Sequence, residues 1–207
     1  MIMVASAGGI AALIALLWIA GGIRRIGSVS DGDQIEKREG TALILIDLQE
    51  VFWDHGPYKT HDKAEAEAAI LEEINAAKES GCPVIAVRQE WSIPSTKIIA
   101  RVTMKGQAIA GTPGTQLAHP FAHVADHVLV KRVQDAFETG ELDALLAQLD
   151  VGRLRLVGLD FNYCVQKTAL SARSRGYHVS VNQRGTLSAG STAQTVKRME
   201  ANGVVLQ

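Results

Sequence analysis

Apolar residues fall into three kinds of run along this chain. The first, Met1 to Ile23, carries no charged side chain and is dense in Ile, Leu, Ala and Trp. As a helix it would be about 34 Å long, enough for a bilayer core of about 30 Å. The second kind is short and continuous: 41–46, 84–87, 127–130, 154–157, 178–181 and 204–206. Such runs, bounded by charge, glycine or proline, suit strands covered on both faces of a parallel sheet. The third kind recurs every three to four residues, as an amphipathic helix does. It covers 64–80, with Ile70, Leu71 and Ile74 turned inward and Gly81 closing it. It also covers 141–149, a segment that opens at Cys164 with Val165, Thr168, Ala169 and Ala172, and about 191–201. Strands alternating with helices predict an α/β fold. The expected architecture is a three-layer doubly wound sheet of about six mostly parallel strands, with helices on both faces and an apolar N-terminal helix in front.

This pattern divides the chain into an apolar helix at 1–26, a polar linker at 27–40 and one α/β domain at 41–207. At 207 residues there is room for one sizeable core and not for a second full domain. Arg24 and Arg25 follow the apolar run at once, Lys37 and Arg38 come a little later, and no Lys or Arg precedes it. The positive-inside rule therefore predicts a membrane anchor through residues 1–23 with the domain on the cytoplasmic side. A cleaved signal would need a basic start and a small-residue cleavage motif. A helix packed on a partner subunit, or a start codon set too early, would leave a plain cytoplasmic protein.

Charge and cysteine usage narrow the chemistry. With 21 basic and 22 acidic side chains, nothing points to nucleic acid. The two cysteines, Cys82 and Cys164, form no metal or disulfide framework, which suits a reducing compartment. In doubly wound sheets ligands bind at the carboxyl ends of the strands. Asp47 ends the first predicted strand, Lys131 ends the third, and Cys164 lies in the turn after the fourth. Each alone has an ordinary explanation: a turn-capping aspartate, a surface lysine, a buried thiol. Together at equivalent strand ends they predict a thiol active site. A cysteine in a helix's first turn would also be eased toward thiolate by unpaired N–H groups.

Three segments carry a family resemblance: ALILIDLQEVF at 42–52, VLVKRVQDAFETGEL at 128–142 and VGLDFNYCV at 157–165. They resemble the isochorismatase-like cysteine hydrolases, which include nicotinamidases, ureidoacrylate and biuret amidohydrolases and N-carbamoylsarcosine amidase. The resemblance runs over nearly all of 41–207. It implies that Asp47, Lys131 and Cys164 are a catalytic triad cleaving an amide or ureido C–N bond of a small molecule through a thioester. It also implies a non-proline cis peptide between Leu159 and Asp160, with the backbone N–H groups of Asp160 and Cys164 as an oxyanion hole. A homo-oligomer is implied as well, and no cofactor.

Several departures qualify it. Asp160 and Phe161 stand where the family often has Ala-Thr, and Asn162 where many members have aspartate. If Asp160 and Phe161 blocked the oxyanion site, the chain would be a silent binding protein keeping the fold. Nicotinamidases carry metal-binding histidines beyond the first two strands, whereas this chain reads Arg88, Gln89, Glu90, Trp91 there. No metal site and no nicotinamide substrate are expected. Isochorismate is not expected either, because true isochorismatases lack the cysteine. Gln49, Trp53, Gln89, Trp91 and Tyr163 are the candidate substrate-binding residues, with core packing as the alternative for the last four. The long connection 88–126 reads as a binding loop. Its His119 and His123, with His127 of the third strand, read as surface histidines because Pro120 interrupts any shared helical face. TLSAG at 186–190 lacks the first glycine of a serine elbow.

Overall fold

The computed structural model describes residues 7–207; the expected helix start at 1–6 lies outside them. The sheet has six strands, β1 Gly40–Ile46, β2 Val84–Gln89, β3 His127–Lys131, β4 Val151–Leu159, β5 His178–Leu187 and β6 Val205–Leu206. Their order is β3-β2-β1-β4-β5-β6, and every pairing is parallel. β1 is central, so its side chains alternate between two cores and almost all are buried. Ala42, Ile44 and Ile46 face helices α5 Glu141–Gln148, α6 Gln166–Ser174 and α7 Ala193–Ala201. Leu43 and Leu45 face the other layer, α3 Thr60–Glu79, through Ile70 and Ile74. A strand apolar on both sides is what a sheet with helices on both faces demands.

The remaining helices are α1 Ala7–Ile26, the short α2 Glu50–Trp53 and α4 Pro94–Thr103. α4 lies within 88–126, the stretch expected as a binding loop, where no helix was expected. Its start follows the rule for proline in a first helical turn, but its apolar positions split between the core and solvent and so mask their period. α3 begins four residues earlier than expected, because its first turn, Thr60 to Lys63, is wholly polar. β5 runs six residues past Val181, carried by a register shift against β4 after Leu156.

Residues 27–39 lack helix and strand but do not hang free. Ser30 donates through N–H and Oγ to Oδ2 of buried Asp135, at 2.7 and 2.6 Å. Buried Arg175 donates to the carbonyls of Ser30 and Asp31, at 2.8 and 2.9 Å, and pairs with Asp143 at 3.0 Å. Ile35 N–H then donates to the Arg175 carbonyl at 2.9 Å, and the Ile35 side chain packs on the core. The segment is a strap bonded to Asp135 and to the C-terminal end of α6.

β1 leaves no room for a side chain at Gly158 of β4, where φ is +119° and an added Cβ would fall on the Ile46 carbonyl oxygen. We predict that Gly158→Ala lowers stability by about 3 kcal/mol or more, read as a fall in the urea midpoint. An unchanged midpoint would mean that the two central strands can part without cost.

Candidate active site

The order 3-2-1-4-5-6 reverses direction between β1 and β4, and a crevice opens at that point beyond the strands' carboxyl ends. Asp47 follows β1 directly, in a left-handed conformation with φ +55°. Its N–H donates to the Val87 carbonyl at 2.9 Å, which ties the turn to β2. Lys131 ends β3, two strands and roughly 10 Å from β1. Its four-carbon stem crosses the end of β2 and brings Nζ to 2.9 Å from Asp47 Oδ2 and 3.3 Å from Cys164 Sγ. The ammonium also donates to Gln89 Oε1 at 2.5 Å and the Val133 carbonyl at 3.2 Å. Aspartate, lysine and thiol thus meet at one point. Asp47 and Lys131 are buried and Cys164 is partly so.

Cys164 does not open a regular helix. It sits in a single π-turn, Phe161–Val165, in which Val165 N–H reaches back to the Asp160 carbonyl at 3.2 Å; α6 begins after it. π-turns of this kind recur at functional sites. The Leu159–Asp160 peptide is cis. Asp160 caps the turn: Oδ1 accepts from Asn162 N–H at 2.8 Å, and Oδ2 accepts from Ala189 N–H at 2.8 Å and Tyr58 Oη at 3.3 Å. Phe161 is turned away into the core, at 2% exposure. Asn162 ties the turn onward, donating to Ser188 Oγ at 2.8 Å and accepting from Thr195 Oγ1 at 2.6 Å.

The three groups set one another's protonation. Burial raises the Asp47 carboxyl above the usual range, against the pull of Lys131 and the thiol. Burial by itself would lower Lys131, but the charges of Asp47 and Cys164 outweigh it and hold the ammonium protonated. The Cys164 thiol is pushed up by burial and then by the Asp47 charge, while Lys131 pulls it down. Burial and the Asp47 charge thus oppose the expected drift toward thiolate from a helix terminus. Asp160 is raised by burial, and its three donors oppose that. Asp47 Oδ1 is buried without a hydrogen-bond partner.

The thiol opens onto a cavity of about 540 Å³. Of the five expected substrate-binding residues, Gln89, Trp91 and Tyr163 line it. Trp91 is 3% exposed with its Nε1–H unpartnered, and Tyr163 is exposed at the rim. The other two do not reach it, which corrects the expectation. Trp53, ending α2, packs edge-on against Phe121 in the α3 core, 4.7 Å between ring centres. Gln49 is buried as a brace: Nε2 donates to the Gln89 and Thr115 carbonyls, and Oε1 accepts from Gln89 N–H at 2.6 Å. Tyr58, Met104 and Gln134 line the cavity without having been singled out. Met104 at least falls within 88–126, the expected binding loop; nothing local marks the other two. Among the described residues no three His, Cys, Asp or Glu side chains converge as a metal cluster, His119, His123 and His127 included.

A doubly wound α/β domain with a thiol, a carboxylate and an ammonium at its switch point defines the class of protein. A family model described as "Isochorismatase domain" matches residues 41–207, so the chain belongs to the isochorismatase family. An uncharacterised isochorismatase family protein of Escherichia coli O157:H7, YecD, is 27% identical over 146 residues, 68% of this chain and 76% of that one. The fold matches N-carbamoylsarcosine amidase from Thermoplasma acidophilum with a TM-score of 0.70, at 22% identity, over 82% of this chain and 96% of that one. It also matches the pyrazinamidase of Pyrococcus horikoshii in complex with zinc, with a TM-score of 0.69, at 23% identity, over 82% and 99%.

The electrostatics give a test with a definite sign. Asp47→Asn removes the charge that raises the thiol and leaves Lys131 beside it. The pH midpoint of Cys164 alkylation by iodoacetamide, followed on the Cys164 peptide by mass spectrometry, should fall by about one pH unit or more. Lys131→Met should move it upward. A midpoint unmoved or raised in Asp47→Asn would refute the coupling.

Proposed function

We propose that the chain is a cysteine hydrolase that cleaves an amide or ureido C–N bond through a thioester on Cys164. The single observation that carries this reading is the Lys131 ammonium held 2.9 Å from Asp47 and 3.3 Å from Cys164 at the cavity floor. Family membership and two fold neighbours named as amidases add support. In the first step the thiol proton passes to Asp47, whose Oδ1 is unpartnered, as sulfur bonds to the carbonyl carbon. Lys131 balances the charge that develops on sulfur. The oxyanion is received by the backbone N–H groups of Asp160 and Cys164. Collapse breaks the C–N bond, and Asp47 returns its proton to the leaving nitrogen. Water then attacks the thioester, Asp47 takes its proton, and the acid leaves as the proton returns to sulfur. A raised carboxyl suits a group that must hold a proton in mid-cycle.

Trp91 Nε1–H is a buried donor in the cavity wall, and we assign it to a polar atom of the substrate. The silent-scaffold reading is disfavoured by where its two blocking residues go. Phe161 is in the core, and the Asp160 carboxylate is taken up by Asn162, Ala189 and Tyr58. We also propose that α1, long and apolar enough to cross a membrane, anchors the domain on the cytoplasmic side.

A library of small amides and ureido compounds, with hydroxylamine added, tests the chemistry. A turned-over amide should yield a hydroxamate, and a ureido compound an N-hydroxyurea, as hydroxylamine intercepts the thioester. Cys164→Ser should lower the rate by about 10³-fold or more. Turnover that survives in Cys164→Ser would sink the reading.

A further inference from the structure

α1 is apolar on every side. From Ile10 to Ile23 every large apolar side chain is 37 to 64% exposed, and Arg24 and Arg25 beyond them are exposed too. A protein partner covers one face of a helix; a helix apolar all round suits lipid. Its last turns are fixed to α4. An added Cβ on Gly22 would lie 2.8 Å from both Ser95 Cβ and Ile99 Cδ1, so the two helices touch at backbone distance. α4 itself presents two adjacent rows. Ile98 and Val102, four apart, are 44 and 79% exposed, and Lys97 and Arg101 run beside them at the same spacing, with Lys105 just past the helix end. Among the described residues none of these cations pairs with a carboxylate. An apolar row flanked by unpaired cations is the pattern of a helix lying in an anionic lipid interface.

Between α1 and α4 runs a groove of about 390 Å³, walled by Ile19, Ile23, Ile98 and Val102 and closed by Thr103 and Met104. Thr103 and Met104 are also wall residues of the catalytic cavity. The groove beside the proposed anchor and the cavity that holds the thiol are therefore neighbours with one shared wall.

Resting on the cysteine-hydrolase reading above, we infer that this groove takes the hydrocarbon chain of a bilayer-borne amide, whose C–N bond is thereby presented to Cys164. The substrate class is an amphiphilic amide or ureido compound drawn from the membrane. α4 lies at headgroup depth, with its cations snorkelling outward.

The test uses the full chain in vesicles of phosphatidylcholine and phosphatidylglycerol, labelled with N-methyl- or N-dodecyl-iodoacetamide. Each alkylates the thiol with loss of iodide, and the rate is read on the Cys164 peptide by mass spectrometry. The dodecyl probe should react about tenfold faster or more, a fraction of what burying its methylenes could supply. Ile98→Asp/Val102→Asp, two changes at exposed positions, should bring the ratio of rates to about one. Equal rates in the native chain, which a groove filled by the helix of a second copy would give, overturn the inference. So does an advantage that the double variant leaves intact, since partition into the vesicle would then explain it. Failure of both probes to label Cys164 at any pH overturns the cysteine-hydrolase reading itself.

Discussion

A fully buried ammonium governs the architecture of the site. Left without partners, Lys131 would cost several kcal/mol, so the fold has to deliver acceptors to it from three different strands. Asp47 comes from β1, Gln89 from β2, and the Val133 carbonyl from just past β3. Gln89 sits opposite Lys131 in the sheet register, and its own N–H is held by Gln49, which in turn braces Thr115. A slip of one residue between β2 and β3 would turn Gln89 to the other face and leave the ammonium short of a partner. The sheet's register and the site's electrostatics are thus one constraint. A thiol introduced beside that pair inherits a fixed neighbour of each sign.

How much of this was legible in the chain depends on burial symmetry. β1 is covered on both faces, so it appears as an unbroken apolar run whose last residue marks the sheet edge, and β4 is buried throughout its last four residues, Leu156 to Leu159. That is why Asp47, Lys131 and Cys164 could be placed together before any coordinates. α4 was not legible, because half its apolar residues look into a satellite core around Trp91 and half into open space. Gln49 and Trp53 failed for a related reason. Sequence places them next to the site, but the turn after Asp47 and the short α2 point both side chains inward, to the β2 backbone and the α3 core. Tyr58 gave no signal at all. Its place is set by Asp160, a hundred residues away, which only the folded chain brings near.

The 27–39 strap shows the same limit in reverse. A polar, glycine-containing stretch has the composition of a flexible linker, yet Arg175 and Asp135 clamp it at Ser30. Both clamp residues lie more than a hundred positions downstream, so nothing local announces them.

The end of α1 is not merely next to the catalytic domain but part of its masonry. The Ile26 carbonyl accepts the N–H of Gln134, a cavity wall residue, at 3.1 Å, and the Ile26 side chain is buried in one cluster with Trp91 and Ile99. A chain shortened to begin at the strap would lose that acceptor and uncover that cluster. Any rate difference between full and shortened proteins would then mix two causes, a change of address and a slackened cavity wall. Trimming the apolar helix for solubility would, for this protein, also disturb a wall of the candidate site.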